Sequence, residues 1–403
     1  KEIETNIKLG FKKIVISAPT GVGKSAIAVA IAKYFGDGFF VTKSKSLQDQ
    51  YTRDFPILSS VKGKSNFDCK KIMEKHNVDD PILAKELGHT CEKGVCLEKT
   101  ETDQNGKTVK IFCKFKPSLR SMKEDLDMEI ADGDYVVNPD ESDMNKVKRI
   151  ASCTYYLQKY SGLISNFSVW NYSGFFQLMQ NKVAFTEYLQ KKVSIFDEAH
   201  GLEDQIINFI GINISQNQLD ECMIDVSRYD LSLHLHQIQL LLAMKKFYGK
   251  PIDDDKTKPS QYYNDNFEKI TGMIAELEGD PTNFIVTDNT GDAANSTVIS
   301  IKPLLISKYA DYFFDTEYQI FMSATINKKN FCETMGLDEK HVAFIDTPKS
   351  PFLYEHRKIE FLNVEFLNSR SSFAQEQNAI RRIDEILSKH KNERGLILTS
   401  SKK

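Results

Sequence analysis

No apolar stretch among the 403 residues approaches the roughly 20 needed to cross a bilayer, and the first residues lack the pattern of a secretory signal. A soluble, intracellular protein is expected, cytoplasmic or nuclear if eukaryotic, with no membrane partner. An excess of positive charge is also missing: 53 Lys and Arg stand against 56 Asp and Glu, a formal net charge of −3. That excludes a uniformly basic nucleic-acid coat and leaves local patches for any such contact. No repeat or low-complexity tract interrupts the chain. Cysteine is scarce and odd in number, seven in all, which in an intracellular chain favours metal ligation or free thiols over disulfides. A hydrophobic content of 41% is enough to bury more than one core, and at roughly 100 to 200 residues per domain the length suggests two to four units.

What the chain does have is concentrated in short strings. Ile14, Val15 and Ile16 read as a buried strand, and Ser25 to Ala32 as a buried helix. Between them runs A-P-T-G-V-G-K-S, from Ala18 to Ser25. Strand, glycine turn and helix is the context in which backbone N–H groups wrap around phosphates at the positive end of a helix. Thr20, Gly21, Val22, Gly23, Lys24 and Ser25 are the candidate nucleotide-binding residues. Lys24 would reach the β- and γ-phosphates and the Ser25 hydroxyl would bind Mg²⁺. Ala18 stands where the strict pattern has glycine.

Val193 to Phe196 is a second short apolar run and ends in D-E-A-H, Asp197 to His200. An aspartate at a strand tip can hold the magnesium shell, and the next glutamate can position the attacking water. Lys24, Asp197, Glu198 and His200 are therefore the candidate catalytic set, with Ser25 and Asp197 on magnesium. A third string, Ser323-Ala324-Thr325, follows the apolar run Ile320 to Met322. Taken alone, it is no more than a capped turn.

The cysteines cluster. Cys69, Cys91, Cys96, Cys113 and Cys153 fall within residues 62 to 153, whereas Cys222 and Cys332 stand apart and read as packed thiols. The segment has little apolar periodicity and could hardly build its own core, so a bound metal centre would supply cross-links. The spacing does not match paired C-x-x-C zinc ligation. From Lys62 to Lys123 there are 14 basic against 9 acidic residues, and from Glu124 to Asn145 there are 9 acids and no base. The first stretch could meet DNA, while the second reads as a solvated or mobile loop.

The phosphate loop, D-E-A-H and S-A-T, in that order, resemble a superfamily 2 helicase. K-G-K-S-N-F-D-C at Cys69, G-V-C at Cys96, C-K-F-K at Cys113 and C-T-Y-Y-L-Q-K at Cys153 resemble the iron–sulfur insert of the XPD and DinG helicases, which lies between the same two motifs. Val169 to Tyr172 and Ser350-Pro351-Phe352 extend the resemblance along the chain. It implies a 4Fe–4S cluster held by four thiolates, with Cys69, Cys113 and Cys153 matching best and Cys96 preferred to Cys91 for the remaining place. It also implies that Ser323 and Thr325 couple the nucleotide site to the nucleic-acid groove.

Candidate DNA contacts are Lys43 and Lys45, beside hydroxyls after the strand Phe39 to Val41, and Tyr156, Lys159 and Tyr172, where aromatic faces beside a lysine suit base stacking. A solvated loop and ordinary core packing are the respective alternatives.

The expected fold is α/β: a RecA-like motor domain with a parallel sheet and helices on both faces, an iron–sulfur insert, a helical arch insert and the start of a second RecA-like domain. The expected boundaries are 1–61 (phosphate loop), 62–153 (cluster insert), 154–202 (D-E-A-H), 203–285 (arch), 286–349 (S-A-T) and 350–403 (second motor domain, incomplete). The resemblance implies an ATP-dependent DNA helicase using ATP, Mg²⁺ and a 4Fe–4S cluster. It would act on single-stranded DNA and forks, 5′ to 3′, in repair or replication and with proteins of those processes. A DEAH-type RNA helicase with structural zinc and a non-catalytic DNA-binding scaffold are the alternatives.

Overall fold

The structure, a computed structural model, describes residues 1–94, 96–102, 108–117, 153–249, 260–288, 297–347, 361–365 and 371–392. The acidic run 124–145, Ser350-Pro351-Phe352 and the strand expected at 395–398 lie outside them. The chain falls into two units, Lys1–Pro351 and Phe352–Lys403.

The larger unit is built on seven parallel strands: β1 (Lys13–Ser17), β2 (Gly38–Thr42), β3 (Ser59–Val61), β6 (Phe167–Asn171), β7 (Val193–Asp197), β11 (Tyr318–Ser323) and β12 (Val342–Asp346). Their order across the sheet is β12-β1-β11-β7-β2-β6-β3. Parallel strands are covered on both faces, which is why these segments are near-continuous apolar runs. The two-residue period divides each run between the faces. Val15, Phe39, Val41, Phe196 and Phe321 pack on one side, where the Phe196 and Phe321 rings stack at 5.1 Å, joined by Trp170, Phe175 and Phe176. Ile14, Ile16, Phe40, Ile195, Ile320 and Met322 pack on the other, under Ala28, Val29, Ile31 and Ala32 of a helix. The doubly covered RecA-like sheet expected from the sequence is the one observed.

That covering helix is α2 (Lys24–Phe35); α1 (Glu2–Lys8) precedes it and α3 (Lys45–Asp54) follows β2. Ser44 caps α3 by accepting the Leu47 N–H. Buried Gln48 then ties the helix to the sheet, its amide donating to the carbonyls of Val61 (2.9 Å) and Val169 (3.2 Å).

Residues 203–285, read as mainly helical, also hold one strand and the start of a second, and a third follows from the segment 286–349. β8 (Ile212–Ser215), β9 (Phe284–Asp288) and β10 (Thr297–Pro303) form an antiparallel sheet in the order β8-β10-β9. It packs against the helices His234–Tyr248 and Ser260–Gly279 around Ile214, Leu240, Met244, Ile270, Leu277 and Ile299. The leucine run 231–242 misleads because Leu233 precedes its helix and Leu235 and Leu242 are exposed. The cysteine-rich segment holds the short helices Lys70–His76 and Pro81–Glu86 and the hairpin β4 (Leu97–Thr102) and β5 (Thr108–Phe112). In the smaller unit a helix, Phe373–Lys389, is closed at its start by a capping box between Ser372 and Gln375.

Candidate functional site

Register brings the three strings together. Ser17 at the end of β1 pairs with Ser323 of β11, and Met322 pairs with Asp197 of β7, so all three strings sit at the carboxyl ends of adjacent strands, where open α/β sheets bind ligands. The loop leaving β1 is fastened to the S-A-T turn by the Ala18 N–H donating to the Ser323 carbonyl at 2.9 Å. Gly21 (φ 89°) and Gly23 (φ 85°) take the left-handed conformation that turns the loop onto α2. Lys24 opens α2, and its ammonium donates back to the Ala18 carbonyl at 3.2 Å, across the cradle. An apolar cavity of about 810 Å³ flanks the loop, lined by Ile3, Ile7, Val22, Ile27, Tyr34 and Ile345 among others.

Asp197 is only 4% exposed. Burial raises its carboxyl above the ordinary aspartate range; the Tyr51 hydroxyl and the Glu198 N–H oppose this as donors, with the Lys24 charge adding to them. Tyr51 donates to Oδ2 at 2.9 Å and the Glu198 N–H to Oδ1 at 3.0 Å. A buried carboxylate with its charge incompletely met is what a divalent cation would compensate, so Asp197 and the nearby Ser25 hydroxyl fit magnesium in kind. Glu198 has φ 54° and ψ 43°, an uncommon conformation for a side-chain-bearing residue, right at the strand tip. His200 Nδ1 lies 3.3 Å from Glu198 Oε2 and 2.9 Å from Ser323 Oγ. Ser323 Oγ also accepts the Thr325 N–H at 3.2 Å. One histidine thus touches both the acidic string and the S-A-T turn.

The five clustered cysteines converge through the backbone. Cys69 N–H donates to the His89 carbonyl, Cys91 N–H to Phe67, Cys113 N–H to Cys96 and Cys153 N–H to Phe115. All are free thiols. Cys69, Cys91 and Cys153 are buried with Tyr155, beside Phe67, Ile72 and Phe115. A β-carbon on Gly94 would lie 2.6 Å from Cys69 Sγ, so only glycine lets that loop approach the sulfur. Cys91, 2% exposed, is the most buried of the five thiols: its Sγ is 3.8 Å from that of Cys153 and donates to the Asp68 carbonyl at 3.0 Å. Sharing the Cys91 proton pulls Cys69 and Cys153 below the ordinary thiol range and pushes Cys91 up. Cys96 and Cys113 are half-buried, and Cys96 meets the Tyr156 hydroxyl. Sequence context favours Cys96 through G-V-C, and the fold places Cys91 deeper than Cys96 beside Cys69 and Cys153. Sulfur-only donors suit an iron–sulfur cluster in kind, although among the described residues no three His, Cys, Asp or Glu side chains are arranged as a metal-ligand set.

The candidate DNA contacts separate. Lys43 and Lys45 are exposed around the start of α3, and Lys43 reaches over Gly201 beside the D-E-A-H turn. Tyr156 is half-buried, with Lys116 Nζ 4.9 Å from its ring centre. Burial, and then repulsion from Lys64 and Lys116, lowers Lys159 to about 8, so three lysines share one patch next to the thiols. Tyr172 does not belong with them. It is 1% exposed and its hydroxyl donates to the Asp197 carbonyl at 2.8 Å, which makes it a core residue under the acidic string. Tyr51 was missed because nothing in the T-K-S-K-S-L-Q stretch marks a tyrosine further along that helix. Lys64 and Lys116 were visible only as members of a basic segment.

Residues 49–219 match the DEAD_2 family model. Two solved structures are similar. An XPD helicase matches at 16% identity with a TM-score of 0.43, covering 86% of this chain and 61% of its own. A truncated XPD matches at 15% with a TM-score of 0.42, covering 86% and 98%. The chain thus spans about 61% of the length of the first.

Proposed function

We propose that this chain, an XPD-like superfamily 2 helicase by its motifs and its DEAD_2 segment, is the first motor of an enzyme that couples ATP hydrolysis to movement along single-stranded DNA. The observation that carries the reading is the meeting of the three strings on neighbouring strand tips, with His200 between Glu198 and Ser323. In it Lys24 and the loop amides bind the phosphates, Ser25 and Asp197 hold magnesium, and Glu198 orients the attacking water. The apolar cavity beside the loop suits a nucleobase face. A second motor domain would supply the arginine that meets transition-state charge, a contribution of roughly 10³ to 10⁵ in rate in related systems.

DNA rather than RNA, 5′ to 3′ travel and a role in repair or replication rest on the family resemblance. The patch of Lys64, Lys116 and Lys159 beside Tyr156 supports a strand-binding face, as do Lys43 and Lys45, with phosphates on the lysines and a base on the ring. For the cluster we assign Cys69, Cys91, Cys113 and Cys153, leaving Cys96 as the fifth thiol. Iron–sulfur would cross-link a segment otherwise held by a few backbone hydrogen bonds.

The test is single-strand-stimulated ATPase of the protein with both motor domains. Lys24→Ala should abolish hydrolysis, and Glu198→Gln should retain nucleotide binding while turnover falls at least a hundredfold, the order general-base loss costs. Normal turnover in either variant overturns the assignment.

A further inference from the structure

Magnesium chemistry asks two things of the side chains around it. A serine ligand must turn a lone pair to the metal and send its proton elsewhere, and an aspartate ligand must be held ionised and at a fixed angle. Both demands meet at one residue that belongs to none of the three strings. Tyr51 is 1% exposed, lies one turn beyond Gln48 on α3, and packs between the Phe40 and Phe55 rings at 5.7 and 6.3 Å. Its hydroxyl donates to Asp197 Oδ2 at 2.9 Å, with the Ser25 side chain beside it. Gln48, locked to Val61 and Val169, fixes the helix turn that carries the ring.

We propose that Tyr51 is a positioning residue for the magnesium of the nucleotide site. It accepts a hydrogen bond from the Ser25 hydroxyl, which leaves the serine lone pairs for the cation, and it holds Asp197 as a correctly aimed carboxylate. This rests on the nucleotide-site reading above. Its hydrogen bond goes to a magnesium ligand, so the effect expected is on the metal. Hydrogen-bond partners of metal ligands typically change metal affinity on the order of 10- to 100-fold when removed.

The experiment measures binding of a fluorescent ATP analogue to the full-length protein in EDTA and across a magnesium titration. For Tyr51→Phe, which keeps the ring in its packing, affinity in EDTA should stay within about twofold of the parent. The magnesium concentration at half-saturation should rise at least about tenfold. In an Asp197→Asn background the same substitution should add less than about twofold, because the acceptor it serves is already altered. Unchanged magnesium dependence in Tyr51→Phe overturns the proposal. Equal weakening with and without magnesium also overturns it, since the hydroxyl would then support the phosphate cradle in general. A parent protein that binds no nucleotide under either condition would instead refute the nucleotide-site reading itself.

Discussion

Lys191 is a buried cation with no acid bonded to it among the described residues. It is 8% exposed, just ahead of β7, with its ammonium donating to Ser168 Oγ at 2.9 Å and the Gly162 carbonyl at 3.4 Å, and lying 4.4 Å from the Phe39 ring centre. Burial lowers its pKa from 10.5 to about 7, against a small opposing pull from Asp37. Holding the lysine charged therefore costs the fold on the order of 5 kcal/mol. The folded state binds fewer protons than the unfolded one between about pH 7 and 10.5, so stability rises with pH across that window. The penalty is complete below it and absent above it.

Lys191→Met keeps the length and apolar contact and removes the charge. It forfeits two hydrogen bonds, each about 0.5 to 1.5 kcal/mol. The partners are not orphaned, because Ser168 Oγ still accepts the Trp170 indole N–H at 2.9 Å and the Gly162 carbonyl still accepts the Ser165 hydroxyl at 3.4 Å. A net gain of about 2 to 3 kcal/mol at pH 7 is expected, within the range seen when buried ions give way to apolar groups. Urea unfolding followed by emission of Trp170, the single tryptophan, reads it directly, since its indole shares Ser168 with Lys191. The gain should fade by pH 10. A variant no more stable than the parent at pH 7, or a gain equal at pH 7 and pH 10, refutes the reasoning.

Two further predictions concern the thiol patch and the link between strings. Serine at Cys69, Cys91, Cys113 or Cys153 should remove bound iron and acid-labile sulfide, while serine at Cys96, Cys222 or Cys332 should not; iron lost at Cys96 but kept at Cys91 reverses that choice, and zinc in place of iron refutes the cluster. His200→Ala should leave strand-stimulated hydrolysis within a few fold while unwinding per ATP falls, because it cuts the 2.9 Å contact to Ser323; unchanged unwinding per ATP would place the coupling elsewhere.

Much of the motor was legible because its signals are local. A parallel strand buried on both faces is an apolar run whatever its neighbours, so β1, β2, β7 and β11 were found within a residue or two. A phosphate loop needs glycines at defined places, so Gly21 and Gly23 stood out. What stayed hidden depends on contacts distant in sequence. Tyr51 and Asp197 are 146 positions apart, and no pattern in either segment mentions the other. The burial of Cys91 beside Cys69 and Cys153 depends on the loop at Gly94, where a β-carbon would lie 2.6 Å from Cys69 Sγ. Tyr172 follows a lysine-and-aromatic stretch that suits DNA, but an asparagine cap at Asn171 starts a helix there and rolls the ring into the core. Strands β8 to β10 pair across the long helices, which obscured them in a chain read window by window.

The antiparallel sheet and its two long helices enclose an apolar interior distinct from the two faces of the parallel sheet. Its strands meet the motor through Gly211, which admits no side chain because a β-carbon would sit 2.8 to 2.9 Å from two backbone oxygens, and through the turn after Pro303, where Asn283 bonds Leu305 in both directions. The helix Ser260–Gly279 is tied to the motor as well, Tyr309 donating to Glu276 at 2.6 Å and Lys308 pairing with Glu276 and Asp280, so the join is a largely polar seam and a graft site. Substitutions inside the module are felt by its own packing before they reach the strand tips, so lineages can refashion its outer surface, or an engineer exchange it whole, while the nucleotide chemistry is inherited intact.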